Sequence, residues 1–163
     1  KSKAYVSYMP TENYLYENFK VIDILKYYNT MYEDFRYDYA VNLLNDIDVN
    51  SDIKISNLSS GQIGKLKTVI ALSRDAQIYM LDEPLNGVDV LSRDTILDLI
   101  AKSHSENKII IISTHLVSEI EKILDTVIFL KEGIVEVFGD AEELRQERQL
   151  SVEGIYKEVF RNA

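Results

Sequence analysis

Two short apolar segments separated by an amphipathic one constrain the fold of this 163-residue chain most strongly. Residues 77–81 (QIYML) and 108–113 (KIIIIS) have the length and apolarity of buried strands, and the stretch between them repeats Ile96, Leu99 and Ile100 at helical spacing. A strand, a helix and a second strand in this order form a βαβ unit with parallel strands. The sequence therefore predicts an α/β fold in which helices cover both faces of a parallel sheet.

The residues before this unit are predicted to form one strand and two helices. Residues 4–8 (AYVSY) alternate as a strand does, and Pro10 ends the pattern. Residues 11–48 are rich in tyrosine and carry the apolar spacing of two short helices. These tyrosines suit a protein interface, and packing between the two helices explains them equally well.

The residues after the unit are predicted to form a hairpin and short helices. Residues 126–139 have the pattern of two strands that turn at Glu132–Gly133. Helix starts are indicated at Ser118, with Glu121 completing a capping box, and at Asp140.

Net charge, the absence of cysteine and the short apolar runs argue against several classes of protein. The net charge of −9 and the absence of a Lys/Arg cluster argue against a nucleic-acid partner, because phosphate backbones repel an acidic surface. The chain has no cysteine, which excludes disulfides and thiolate metal sites. Its longest purely apolar run, residues 109–112, is far shorter than a membrane span.

Two adjacent acids, Asp82 and Glu83, directly follow the first predicted strand and precede Pro84. Ligands of parallel α/β sheets bind at the carboxyl ends of the strands. Since successive strand side chains point to opposite faces, one acid can hold the water shell of Mg²⁺ while the other orients a reacting water. The alternative is an exposed acidic turn.

The segment LSSGQ, residues 58–62, precedes a predicted helix. Small residues let the backbone approach an anion, the helix start offers free N–H groups, and Ser59 and Ser60 add hydroxyl donors. An ordinary serine N-cap is the alternative interpretation.

A third polar group, STH at residues 113–115, ends the second predicted strand. His115 there can donate a hydrogen bond to a phosphate or to a polarised water, and the alternative is a capping threonine beside a surface histidine. The other histidine, His104, has no such context and is predicted to be solvated.

In this order the motifs resemble those of the ATP-binding subunit of ABC transporters. LSSGQ resembles the signature motif, normally LSGGQ, and IYMLDEP (78–84) resembles Walker B with its catalytic glutamate. LNGVD (85–89) resembles the D-loop, and STH resembles the H-loop. The resemblance implies a P-loop NTPase-like parallel sheet with helices on both faces and a small helical subdomain.

The resemblance covers residues 1–163 as a partial ATPase domain. It places the helical subdomain at about 12–57, and the RecA-like core with the C-terminal segment at 1–11 and 58–163. No G-x-x-x-x-G-K-[ST] phosphate loop (Walker A) occurs in the sequence. Because the family's loop precedes the matching region, we expect the sequence to be the latter part of a longer domain and inactive alone.

The resemblance also implies roles for single residues. Asp82 would hold Mg²⁺ through water, Glu83 would polarise the attacking water, and His115 would contact the γ-phosphate of ATP. Asp89 would communicate between two sites. The signature residues that would close over ATP held by a second subunit are Ser59, Ser60, Gly61 and Gln62.

The implied activity is ATP hydrolysis that powers transport. The implied partners are a transmembrane permease and a second ATP-binding subunit, identical or different, so that the chain would lie peripherally on the cytoplasmic face of the membrane. The tyrosine-rich stretch would lie near the groove that receives a helix of the permease. A non-transport relative acting on DNA or ribosomes, and a degenerate nucleotide-sensing domain without turnover, are the alternatives.

Three segments depart from the family pattern. Thr11 stands where the Q-loop has a glutamine that couples Mg²⁺ to the membrane partner, and threonine is shorter. Ser60 replaces the first signature glycine, which a negative φ would allow. Lys65 and Lys67 supply the positive charge in the stretch after the signature.

Overall fold

The structure, a computed structural model, describes residues 4–47 and 49–161, so residues 1–3 of the predicted 1–11 segment lie outside it. Its strands and longer helices are, in chain order, β1 (Val6–Met9), α1 (Val21–Met31), α2 (Tyr37–Asp46), α3 (Ser60–Leu72), β2 (Ile78–Asp82), α4 (Val90–Ser103), β3 (Ile109–Ser113), α5 (Val117–Ile120), β4 (Thr126–Lys131), β5 (Ile134–Asp140), α6 (Ala141–Arg148) and α7 (Val152–Phe160). The chain divides into two compact units, Lys1–Thr114 and His115–Ala163.

The first unit contains the predicted parallel sheet, in the order β1-β2-β3. Asp82 at the end of β2 stands opposite Ser113 at the end of β3, so the polar residues after both strands share one edge. Within the described residues, β2 lies between β1 and β3, and β3, whose first four residues are isoleucines, pairs with β2 alone.

Helix α3 packs on one face of this sheet. The Ser7 hydroxyl donates to the carbonyl oxygen of Ala71 at 2.7 Å, and Tyr79 and Leu81 of β2 are buried. Tyr8, Met80 and Ile111 point to the opposite face, where their side chains are exposed.

The tyrosine-rich region forms the two predicted helices, α1 and α2. Val21, Ile24 and Leu25 are the buried face of α1. An ion pair joins the connection between the two helices to the segment that follows α3, because Arg74 Nε donates to Asp34 Oδ1 at 2.7 Å.

The second unit is built on the predicted hairpin of β4 and β5. Glu132 and Gly133 have φ of 52° and 81°, the two positive values that a type I′ turn requires. Helices α6 and α7 pack on the hairpin through an apolar core whose buried members include Phe129, Leu144 and Ile155.

Two helix N-caps were predicted in the second unit, at Asp140 and at Ser118. Asp140 caps α6, since its carboxylate accepts from the N–H groups of Glu142 and Glu143. The capping box predicted from Ser118 is wrong: α5 starts at Val117 after Leu116, so Ser118 already lies inside its first turn.

No described helix has the length and apolar character needed to cross a membrane within residues 4–47 and 49–161.

Candidate functional site

The carboxylate of Asp82 is held on both oxygens by hydroxyl groups. The Ser113 hydroxyl donates to Oδ1 at 2.6 Å, and the Thr11 hydroxyl donates to Oδ2 at 2.8 Å. These two hydrogen bonds, that of Ser113 first, lower the pKa of Asp82 below its usual value. The side chain is thus oriented and charged, and the short threonine at the Q-loop position reaches it.

The next residue, Glu83, adopts a left-handed backbone with φ of 46°, a conformation uncommon for residues other than glycine. Its N–H donates to the carbonyl oxygen of Ser113 at 2.8 Å, which continues the β2–β3 pairing beyond the strand end. Its Oε2 accepts from the Thr114 hydroxyl at 3.0 Å. Each acid of the pair is therefore held by its own hydroxyl partners.

A buried lysine supports the residues beside Asp82. The Lys67 ammonium, on α3, donates to the carbonyl oxygens of Thr11 at 2.8 Å and Glu12 at 3.0 Å. Burial lowers the pKa of Lys67, and the negative charges of Glu12 and Asp82 oppose that shift.

The signature segment forms the start of α3. Ser59 is the N-cap, and its hydroxyl accepts from the Gln62 N–H at 3.2 Å while Gln62 Oε1 accepts from the Ser59 N–H at 3.0 Å. This capping box matches the N-cap interpretation of Ser59, and it leaves the serine hydroxyl hydrogen available to a ligand. Ser60 is exposed and helical, with the negative φ that a serine at this position requires.

Gly61 brings the signature segment against the D-loop segment. A Cβ atom at Gly61 would lie 2.5 Å from Asp89 Oδ2 and 2.6 Å from the Ser92 hydroxyl oxygen. Asp89 is the N-cap of α4 and accepts from the Ser92 N–H at 3.0 Å. Hydrogen bonds from the Ser92 hydroxyl and N–H lower the pKa of Asp89.

The contacts thus join most of the predicted site residues into two groups within the first unit. Thr11 and Asp82 are in direct contact beside Glu83, and the signature residue Gly61 lies against Asp89. His115 is exposed and is the first residue of the second unit, and its action together with Glu83 stays a prediction.

Known proteins similar to this chain are ATP-binding proteins of ABC transporters, although no protein-family model matches it. An ABC transporter ATP-binding protein of Methanocaldococcus jannaschii is 31% identical over 144 residues, which are 85% of this chain and 55% of the relative. The ABC transporter ATP-binding protein YtrB of Bacillus subtilis is 28% identical over 151 residues, 90% of this chain and 51% of the relative.

The chain is a homologue of the ABC transporter ATP-binding proteins. It spans about half the length of the curated relatives it matches. A solved structure of the ATP-binding subunit of an ABC transporter superposes with a TM-score of 0.82 at 22% identity, over 96% of this chain and 68% of that chain. This similarity confirms the predicted fold class, while the boundaries of the helical subdomain stay a prediction.

The donor set fits the Mg²⁺ that accompanies ATP in the ABC family. Within residues 4–47 and 49–161, no group of three or more His, Cys, Asp and Glu side chains could enclose a metal ion. Mg²⁺ bound with a nucleotide needs only one or two carboxylates, because phosphates and waters complete its shell. Both oxygens of Asp82 already accept one hydrogen bond, so their remaining lone pairs suit water-mediated contact.

Sequence reasoning did not predict that Ser113 and Thr114 hold the two acids in this ABC homologue, or that Lys67 holds the backbone of residues 11 and 12. Ser113 and Thr114 were within reach of prediction, because they directly precede His115 and follow a strand parallel to that of Asp82. Lys67 carried a weaker signal, a cation on the apolar face of a predicted helix.

Proposed function

We propose that this chain belongs to an ATP-hydrolysing subunit that powers substrate movement through a membrane partner. The observation that carries the proposal is the paired support of the two acids, with Asp82 held by Thr11 and Ser113 and Glu83 held by Thr114. Its homologues are named as transporter ATP-binding proteins, which favours transport over a role on DNA or ribosomes.

The two acids have separate tasks in this proposal. When bound, Mg²⁺ neutralises charge on the phosphates of ATP, and Asp82 orients its water shell. Glu83 accepts a proton from the attacking water or orients that water toward the γ-phosphate. His115 donates a hydrogen bond from an imidazole N–H to the same phosphate.

The signature and D-loop residues act across a dimer of ATP-binding subunits. The exposed helix start at Ser59 and Ser60, with Gly61 and Gln62 behind it, faces ATP held by the second subunit, so that nucleotide closes the dimer. Asp89 packs against Gly61 and, in this proposal, couples nucleotide binding at one ATP site of the dimer to the other ATP site. A transmembrane permease receives the resulting movement, and the chain lies against it on the cytoplasmic face of the membrane.

Replacement of the proposed base tests the mechanism directly. In the full-length protein, Glu83→Gln removes the proton acceptor while keeping the side-chain shape, so the ATPase rate should fall about 100-fold or more. Dimers should accumulate with ATP, as measured by size-exclusion chromatography with light scattering.

The matched control for this experiment is Glu136→Gln, at an exposed acid of β5, which should leave the rate unchanged. ATP hydrolysis at the wild-type rate in Glu83→Gln would remove Glu83 from the mechanism.

A further inference from the structure

Lys67 is a buried cation whose donors reach main-chain atoms of a distant segment. The residue is 5% exposed, and its ammonium bonds the carbonyl oxygens of Thr11 and Glu12. Burying an ammonium group is unfavourable unless its donors find partners, and here two main-chain carbonyl oxygens are those partners. Lys67 thus costs desolvation free energy, and its hydrogen bonds fix the main chain of residues 11 and 12.

The two hydroxyls on Asp82 differ in how their own backbones are fixed. Ser113 belongs to β3 and is paired in register with Asp82, so the sheet itself sets its position. Thr11 lies beyond the end of β1 at Met9, outside the sheet. Its backbone therefore depends on contacts other than strand pairing, and Lys67 supplies one to Thr11 itself and one to the next residue, Glu12.

Fixing the backbone of Thr11 also fixes its hydroxyl. Threonine is branched at Cβ and has a single, stiff side-chain rotation before the hydroxyl, so a held backbone leaves few directions for that group. The hydroxyl donates to Asp82 Oδ2 at 2.8 Å and lies 3.5 Å from the carbonyl oxygen of Asp82.

We propose that Lys67 is a positioning residue that holds Thr11 on Asp82 and thereby orients the carboxylate toward the metal that accompanies ATP. The proposal rests on the proposed function and deepens it. In this chain, Lys67 and Thr11, the residue at the Q-loop position, together orient the metal-facing carboxylate of Asp82.

The test measures metal binding apart from turnover, in full-length protein carrying Glu83→Gln. Mn²⁺ replaces Mg²⁺, and its affinity in the presence of ATP is measured by electron paramagnetic resonance. Lys67→Met keeps the length of the side chain without its donors and should weaken Mn²⁺ binding about 10-fold, as loss of an outer partner of a metal ligand does. Lys102→Met, at an exposed lysine of α4, should leave the affinity unchanged.

Two Thr11 variants separate positioning from general structural support. Thr11→Val removes the hydroxyl and should weaken Mn²⁺ binding as much as Lys67→Met does, whereas Thr11→Ser should bind like the parent protein. Because Lys67 acts through this hydroxyl, Lys67→Met added to Thr11→Val should cause less than a twofold further loss.

The outcomes distinguish this inference from the function on which it rests. Parent-like affinity in Thr11→Val overturns the inference alone, even where Lys67→Met does not fold. Additive losses in the double variant overturn it as well, since they would show that Lys67 acts independently of Thr11. Failure of the parent protein to bind Mn²⁺ with ATP overturns the proposed function and the inference with it.

Discussion

At the scale of single residues, Gly61 of the signature segment has no room for a side chain, because a Cβ atom there would collide with Asp89 and Ser92. Gly61→Ala would force Asp89 and Ser92 away from α3 and weaken the N-cap of α4. We expect the free energy of unfolding to fall by about 1–2 kcal/mol, because overpacking and cap loss exceed the helix propensity that alanine adds. Urea unfolding measures this change.

The neighbouring Ser60→Ala is the matched control, since Ser60 is exposed and begins the same helix. Its effect should stay within about 0.5 kcal/mol. If the Gly61→Ala protein is as stable as the wild type, Asp89 and Ser92 can move aside without a loss of folding free energy, and the prediction is wrong.

The acids and the signature were predictable at this scale because local sequence carries their chemistry. Their supports were predictable only in part. The strand register that brings Ser113 to Asp82 follows from two apolar segments, but the burial of Lys67 depends on residues 11 and 12, more than fifty positions earlier in the chain. Its place on the apolar face of α3 is the one local feature that distinguishes Lys67 from Lys65, which is less buried, and that feature does not identify the carbonyl groups that Lys67 binds.

At the scale of elements, Glu121 ties together two helices of the second unit. Its Oε1 accepts from Arg145 of α6 at 3.3 Å and from the Val152 N–H, at the start of α7, at 2.9 Å. Burial raises the pKa of Glu121, but the Val152 and Glu153 N–H groups together with Arg145 outweigh burial and lower it.

Glu121→Gln should lower the free energy of unfolding by about 1–3 kcal/mol at neutral pH, because it removes the charge from these hydrogen bonds. A carboxylate with a lowered pKa stabilises the fold above its ordinary pKa of 4.5 and loses that contribution as the pH falls below it. The difference between wild type and variant should therefore shrink below about pH 4.5.

Urea unfolding at several pH values measures this difference, with Glu147→Gln at an exposed position of α6 as control. A difference that stays constant down to about pH 3 would exclude Glu121 as the titrating group.

Element types were largely predictable because their periodicity and turn residues are local. The hairpin turn needs two positive φ values, and Glu132–Gly133 supplies a glycine for one of them. The elements that pack against each strand were harder to predict from the sequence. The apolarity of β3 predicted a buried strand without specifying which elements cover it, and within the described residues Ile109 and Ile111 are 58% and 48% exposed.

At the scale of the whole molecule, the aromatic residues near α1 form a cluster that is partly open to solvent. The rings of Tyr16, Phe19 and Tyr27 lie 5.3–6.2 Å apart, centroid to centroid, in tilted and edge-on arrangements. Tyr16 is nevertheless 52% exposed and Phe19 is 36% exposed. Internal packing and an interface therefore both remain consistent with the tyrosine-rich sequence, and different measurements distinguish them.

We expect the double variant Tyr16→Ser/Phe19→Ser to weaken binding of the proposed membrane partner about 10-fold, because aromatic residues dominate the energetics of such interfaces. Affinity is measured with the purified membrane subunit in detergent, and urea unfolding of the same variant reports packing. Tyr5→Ser is the control, since Tyr5 is an exposed aromatic residue of the same unit, 54% exposed, outside the cluster. Unchanged affinity combined with a loss of stability would assign the cluster to helix packing and exclude it from the permease interface.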